Sequence, residues 1–150
     1  MAVQTAINNS TVPFIRSGET VVREAATVSQ DAGRTTPLVF GTLMAKKTAD
    51  GEWVPFTNAA ATDGTAIPRG FYLGDEISAA SLVAGDVTDV PILVGGGAAT
   101  LDRDQIVIEN SLTLGTVIGS GVASYTVEDA INSVGLFPEF TVDIDEFENA

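Results

Sequence analysis

The stretch from residue 37 to residue 77 constrains this chain most, because short apolar runs alternate there with turn residues at defined places. Leu38-Val39-Phe40 is an apolar, strand-like run, and residues 41–46 make a second. Asp50-Gly51 then interrupts the pattern. An Asp-Gly pair between apolar runs is a strong hairpin signal, since Gly tolerates the positive φ that tight hairpin turns need. Trp53-Val54-Pro55-Phe56 returns as the partner strand, and Pro55, with no N–H to give to a ladder, is expected on an edge. A small-residue loop over residues 58–66 leads to a further strand, Gly70-Phe71-Tyr72-Leu73. The pattern predicts a compact β framework and contains no catalytic constellation.

Length and composition narrow the classes. A chain of 150 residues suits one domain with a proper core, and 45% hydrophobic against 18% charged residues is a globular composition. Fifteen glycines among many Ala, Val and Thr fit β structure with frequent tight turns. The chain has no Cys and no His. Disulfides, thiolate metal sites and cysteine nucleophiles are thereby excluded, as are the commonest general base and the commonest metal ligand. No run approaches the roughly 18 apolar residues of a membrane span, so no membrane partner is expected. Residues 1–18 lack a charged region followed by an apolar core, so no signal peptide is expected and the chain is expected to act in a cytoplasm.

The net charge of −13 argues against nucleic acid as a partner, because phosphate contacts need clustered Lys and Arg. It is unevenly spread. Residues 1–50 carry five cations against four acids, a balance of +1, whereas residues 51–150 carry two against sixteen, a balance of −14. One reading is simply an acidic domain that stays soluble. The other is an N-terminal arm that reaches a partner while an acidic body faces solvent.

Residues 1–36 are rich in Thr, Ser, Asn, Ala and Val, with short apolar clusters and no sustained period. Such a segment buries little area on itself and is suited to adding as a strand to an exposed sheet edge of a neighbour. The competing reading makes residues 19–28 the first strand of the domain. Gly33 and Pro37 mark the passage to the body. Further on, Val87 to Val94 forms a strand pair or one bent strand, and Gly95-Gly96-Gly97 a tight turn or bulge, since no Gly-Lys-Ser/Thr follows to make a phosphate loop. Asp102 carries a helix-start signal; residues 102–110 are expected as about two helical turns, or residues 105–109 as a strand. Residues 113–125 are expected as strand and turn. The best helix is 126–135, with Thr126 and Asp129 forming a capping pair and Gly135 the stop.

Three acidic groups invite a catalytic or metal reading. Asp143 and Asp145 would share a strand face and could hold a hard cation, yet the Ca²⁺-loop pattern is missing and a solvated face explains them. Asp75 and Glu76 adjoin a strand end and would need a second, distant carboxylate to hydrolyse a glycoside. Asp102 and Asp104 are explained by helix capping. Without His a conventional Ser triad is impossible. Hence no catalytic, cofactor-binding or metal-ligating residue is assigned, and the chain is expected not to be an enzyme. Lys46 and Lys47 before the Asp50-Gly51 turn fit a charge-guarded edge strand or a salt bridge to an acidic neighbour. Trp53, the single Trp, fits a core anchor.

The hairpin of residues 46–55, the run Ala61-Thr62-Asp63-Gly64-Thr65-Ala66 and the run Gly70-Phe71-Tyr72-Leu73-Gly74 together resemble the head decoration (capsid cement) proteins of tailed bacteriophages, the group that contains phage lambda's head-stabilising protein. The resemblance covers roughly a third of the chain well, through turn and strand motifs. It implies a mainly β, β-rich α+β domain, barrel- or sandwich-like, with one or two short helices. An extended N-terminal arm would occupy residues 1–36 and the decoration domain residues 37–150. The implied function is structural: binding the outer surface of the expanded head, as a trimer at three-fold or quasi-three-fold positions, and stabilising it against DNA pressure. Its partners would be the major capsid protein and itself, and its location the virion, after assembly in the host cytoplasm. Val12, Phe14, Ile15, Val21 and Val22 are the expected shell contacts; Thr62, Asp63, Pro68 and Arg69 are the expected subunit contacts. The alternative is a receptor- or carbohydrate-binding β module, which predicts an exposed aromatic platform.

Overall fold

The computed structural model describes residues 14–17, 21–119 and 124–139. The protein is mainly β, as its turn and strand pattern predicts. At its centre is a closed barrel of five strands: β2 (Val21–Val28), β3 (Leu43–Lys46), β4 (Trp53–Pro55), β5 (Pro68–Tyr72) and β6 (Val87–Gly96), in the order β2-β4-β3-β5-β6. Outside it lies a three-stranded sheet in which β7 (Ala99–Asp102) pairs antiparallel with β1 (Ile15–Ser17) and parallel with β10 (Leu136–Glu139). Two short strands, β8 (Val117–Ile118) and β9 (Tyr125–Thr126), pair beside α2 (Val127–Asn132). The other described α-helix, α1 (Ala79–Ala84), follows β5, with Ser78 as its N-cap.

Side-chain alternation divides the core in two. Met44, Trp53, Tyr72, Ile92, Ala26 and Val28 point into the barrel, which Leu38 and Leu82 close. Their sequence neighbours Leu43, Ala45, Phe71 and Leu93 point outward against Leu101, Leu136, Ile131 and Phe14 of the second layer. Thus β3 reads Leu-Met-Ala with every side chain at 0% exposure. A strand covered on both faces needs a continuous apolar run instead of an alternating one.

The hairpin forms at the predicted turn. Lys46 faces Trp53, the Lys47 N–H donates to Glu52 O at 2.8 Å, and the Asp50 carboxylate accepts from the Glu52 N–H at 2.9 Å. Pro55 does not sit on a free edge but opposite Met44 inside the closed barrel. It is tolerated because Phe56 N–H donates to β3, at Leu43 O, so the N–H missing from residue 55 would point to the β2 side. There pairing consists of a single bridge, Val28 to Trp53. Trp53 is a core anchor, 2% exposed.

Several expectations are corrected. The boundary at residue 36 does not divide arm from body: Val21–Val28 pairs along its length with β6, and Phe14 is buried at 5%. The period-2 burial of Ala26 and Val28 in the lumen makes this segment a barrel wall. Leu38-Val39-Phe40 is no strand; only Leu38 bridges, to Ile77, and the chain turns at Phe40-Gly41. Of the two readings of Val87 to Val94, one bent strand holds: Val87–Gly96 is continuous, bent by register shifts against β2. One such shift falls at Val94, just before the triple glycine; Gly95 and Gly96 still pair with Val22 and Val21, and Gly97 begins the corner by which the chain leaves the barrel for β7. After Asp102 comes one 3₁₀ turn, Arg103–Gln105, and then extended chain whose Val107 bridges Thr42, because the β-branched run is drawn to the barrel rim. β3 is an interior strand, so Lys46 and Lys47 do not guard an edge.

α2 is capped as predicted. Thr126 Oγ1 accepts from the Asp129 N–H at 3.2 Å, and Asp129 Oδ2 accepts from the Thr126 N–H at 2.9 Å. These bonds hold the Asp129 carboxyl below its ordinary 3.8. Gly135 ends the helical segment with φ +84°, and a Cβ there would meet Gly96 O at 1.8 Å, so only glycine fits the approach of β10 to β6.

Two predictions follow from this packing. A Cβ at Gly70 would lie 2.6 Å from Leu93 O and 3.3 Å from the Trp53 ring. Gly70→Ala should therefore cost about 1–3 kcal/mol in urea unfolding, while Gly85→Ala, with nothing within 4 Å of its Cβ, changes little. The Asp129 cap acts only when ionised. The Tm difference between wild type and Asp129→Ala should be full near about pH 6 and close as the pH falls below 3.8.

Candidate functional site

Phe14, where the described structure begins, is held edge-on between two rings, Phe40 at 5.5 Å and Phe71 at 5.4 Å between centroids. Phe71 belongs to the outer face of β5, whereas Phe40 stands on the turn before β3 and is 43% exposed. With Ile15, Arg23, Leu73 and Pro91 these rings line a shallow groove of about 320 Å³. Val107, 37% exposed, lies on the neighbouring segment, its N–H donating to Gly41 O at 3.0 Å. The region is an apolar ledge with one guanidinium at its margin, and it can dock another surface.

The expected shell contacts divide on it. Phe14 is buried and serves the core, Ile15 and Val21 pack against that core half-buried, and Val22 is 50% exposed on β2. Val12 lies outside the described residues. Phe40 was not singled out in the sequence. Its signal was a bulky apolar residue directly before a glycine turn, where the chain cannot tuck the ring inward.

The expected subunit contacts lie around the hairpin. Thr62 is exposed; Asp63 accepts from the Thr65 N–H at 3.1 Å, and its carbonyl accepts from the Thr48 N–H at 2.9 Å. The Thr65 hydroxyl and N–H hold the Asp63 carboxyl below the usual range. Pro68 is buried in the barrel wall opposite Ala45 and is unavailable to a partner. Arg69 is exposed.

A second cleft, about 350 Å³, lies between α1 and β4 and includes Ser29, Asp31, Arg34, Lys47 and Asp63. Its cations are engaged internally. Lys47 Nζ donates to Ser29 Oγ at 2.8 Å and pairs with Asp50 at 3.1 Å and Glu52 at 3.9 Å. Arg34, its side chain 6% exposed, grips both oxygens of Glu109 at 2.5 Å and the carbonyls of Thr36 and Pro37. That fork ties the loop before β3 to the segment after the 3₁₀ turn.

Among the described residues no three His, Cys, Asp or Glu side chains could hold a metal ion. Asp102, 3% exposed, accepts from the Asp104 N–H and from Gln105 Nε2. Asp75 and Glu76 are exposed, and the Asp75 carbonyl accepts from the Tyr72 hydroxyl. Burial and the Asp75 charge push the Tyr72 hydroxyl pKa up, whereas backbone N–H donors lower Asp50 and Asp129 and the Thr65 hydroxyl lowers Asp63. Asp143 and Asp145 lie outside the described residues.

No protein-family model and no curated protein matches the chain.

Removing one partner of the Arg34–Glu109 fork leaves a buried charge. Glu109→Ala should lower unfolding stability by about 3 kcal/mol, and the double change Arg34→Met with Glu109→Leu should recover most of it in the same denaturation assay.

Proposed function

We propose that this chain is a structural decoration protein: it binds the outer surface of an expanded tailed-phage head, as a homotrimer at three-fold or quasi-three-fold positions, and cements neighbouring capsomers. One observation carries the reading. The three runs that resemble capsid cement proteins follow one another within residues 46–74 and form one contiguous unit. The hairpin run joins the end of β3 to β4, β5 pairs with β3, and the 61–66 turn is tied to the hairpin by the Thr48–Asp63 bond of 2.9 Å. A resemblance scattered over unconnected elements would have argued against shared architecture.

The mechanism is linkage. A protein that binds the expanded shell and not its precursor stabilises the expanded state by its binding free energy, repeated at many sites. Shell binding falls to the Phe14–Phe40 ledge with Val22, and to residues 1–13, which join the barrel at that ledge. An acidic exterior suits a particle whose cargo is DNA, since it repels stray nucleic acid. The rival carbohydrate reading needs an aromatic platform; Trp53 and Tyr72 are each 2% exposed, and Phe40 is the one aromatic among the large exposed hydrophobics of the described residues.

The test is co-sedimentation with undecorated expanded capsids. A truncation must stop before Phe14, because β2 is a barrel wall. Full-length protein should bind saturably, and removal of residues 1–13 or Phe40→Asp should weaken binding about tenfold or more while far-UV circular dichroism is unchanged. Absence of saturable binding to a matching shell by the folded full chain would overturn the reading.

A further inference from the structure

We propose that the hollow lined by Lys46, Lys47, Thr48, Gly51 and Arg69 docks the acidic C-terminal tail, residues 140–150, of a neighbouring copy of this chain. The inference rests on the decoration reading only for the expectation that copies meet.

In a chain of net charge −13, three of the seven Lys and Arg residues converge on this hollow of about 270 Å³, and no acidic residue lines it. Two of the three are already engaged: Lys46 Nζ by Glu24 at 3.4 Å, and Lys47 Nζ by Ser29 at 2.8 Å, Asp50 at 3.1 Å and Glu52 at 3.9 Å. Arg69 projects from the outer face of β5 without an ion-pair partner among the described residues. With both lysine ammonium groups engaged, the exposed Arg69 guanidinium is the receiver for carboxylate in this hollow, which it takes through two parallel N–H donors.

The tail supplies that chemistry. Its eleven residues contain Asp143, Asp145, Glu146 and Glu148 and no Lys or Arg. The direction of β10 carries it away from the Arg69 of its own copy and favours a neighbour's. β10 runs parallel to β7, from Leu136 beside Ala99 to Glu139 beside Asp102. The Asp102 N–H donates to Phe14 O, Phe14 packs on Phe71, and the Phe14–Phe40 end of the barrel is where Gly41 meets Tyr72. Glu139 therefore leaves at the Tyr72 end of β5, away from Arg69. A contact in which each copy gives a tail and receives another is heterologous, and such a contact closes into a ring when the rotation permits, as in a trimer. Exposed ion pairs are individually weak and screened by salt, so the association is expected to depend on several pairs and on ionic strength.

Analytical ultracentrifugation without capsids tests this on the full chain, Arg69→Glu, Arg69→Ala and a chain ending at Glu139, at about 50 mM and about 500 mM salt, with melting curves to confirm folding. The full chain should self-associate at low salt. High salt, tail removal and Arg69→Glu should each weaken association about tenfold or more, Arg69→Ala less. Arg69→Glu should add nothing once the tail is gone. A synthetic peptide of residues 140–150 should compete. Association that survives tail removal, Arg69→Glu acting equally on the tailless chain, or a full chain that is monomeric throughout would each overturn the proposal. Should Arg69→Glu spare self-association but weaken capsid co-sedimentation, the hollow takes an acidic segment of the shell instead. The tail proposal then fails and the decoration reading stands.

Discussion

Burial of β3, β5 and β6 on both faces is the constraint on which the rest of this structure depends. Their inward side chains fill a five-stranded barrel and their outward ones anchor a second layer, so one set of strands serves two cores. Each fully buried Leu or Phe there removes about 1.5–3 kcal/mol worth of apolar surface from water. The barrel closes between β2 and β4 through one bridge, with the Trp53 ring filling the space behind it. The rim above that seam is polar. Trp53 Nε1 donates to Glu24 Oε1 at 3.4 Å, and Lys46, paired with the same carboxylate, lies 5.5 Å over the indole.

The surface features follow from how the second layer fits. It covers Leu93 and Phe71 but stops short of Leu73 and Pro91, and the start of the described chain lies across that margin. Phe14 is drawn into the core while its ring partner Phe40 stays half outside. The apolar ledge is thus the unburied remainder of the outer core, held in place by the same contacts. Charge follows a similar rule. Arg34 is spent on an internal fork with Glu109, Arg103 Nη2 pairs with Glu128 at 2.6 Å, and Lys46 and Lys47 are held by nearby acids, which leaves Arg69 on β5 facing outward.

Local signals were legible where the physics is local. The Asp50-Gly51 hairpin, the Thr126–Asp129 capping pair and the Gly135 stop each depend on residues within a few positions of one another, and each stands where the sequence puts it. Helix α1 was not predicted, because residues 78–84 are mostly small and carry no clear apolar period. The misassigned segments are those whose fate depends on distant partners. Val21 to Val28 has no strong period by itself; β6, more than sixty residues later, makes it a wall. Leu38 to Phe40 has strand composition, yet Tyr72 O and Ile77 O claim its backbone and that of Gly41 for a turn.

The sequence by itself determined a β-rich domain without thiol or imidazole chemistry, acidic over its second two-thirds, with its turns and helix ends in place. Those properties depend on composition and on neighbours along the chain. The tertiary structure decided that the strands close into a barrel, that residues 21–28 belong to it, that Pro68 is buried and that Phe40 and Arg69 are exposed. These outcomes turn on which faces remain uncovered after two layers share three strands, and that depends on contacts between residues far apart in the chain.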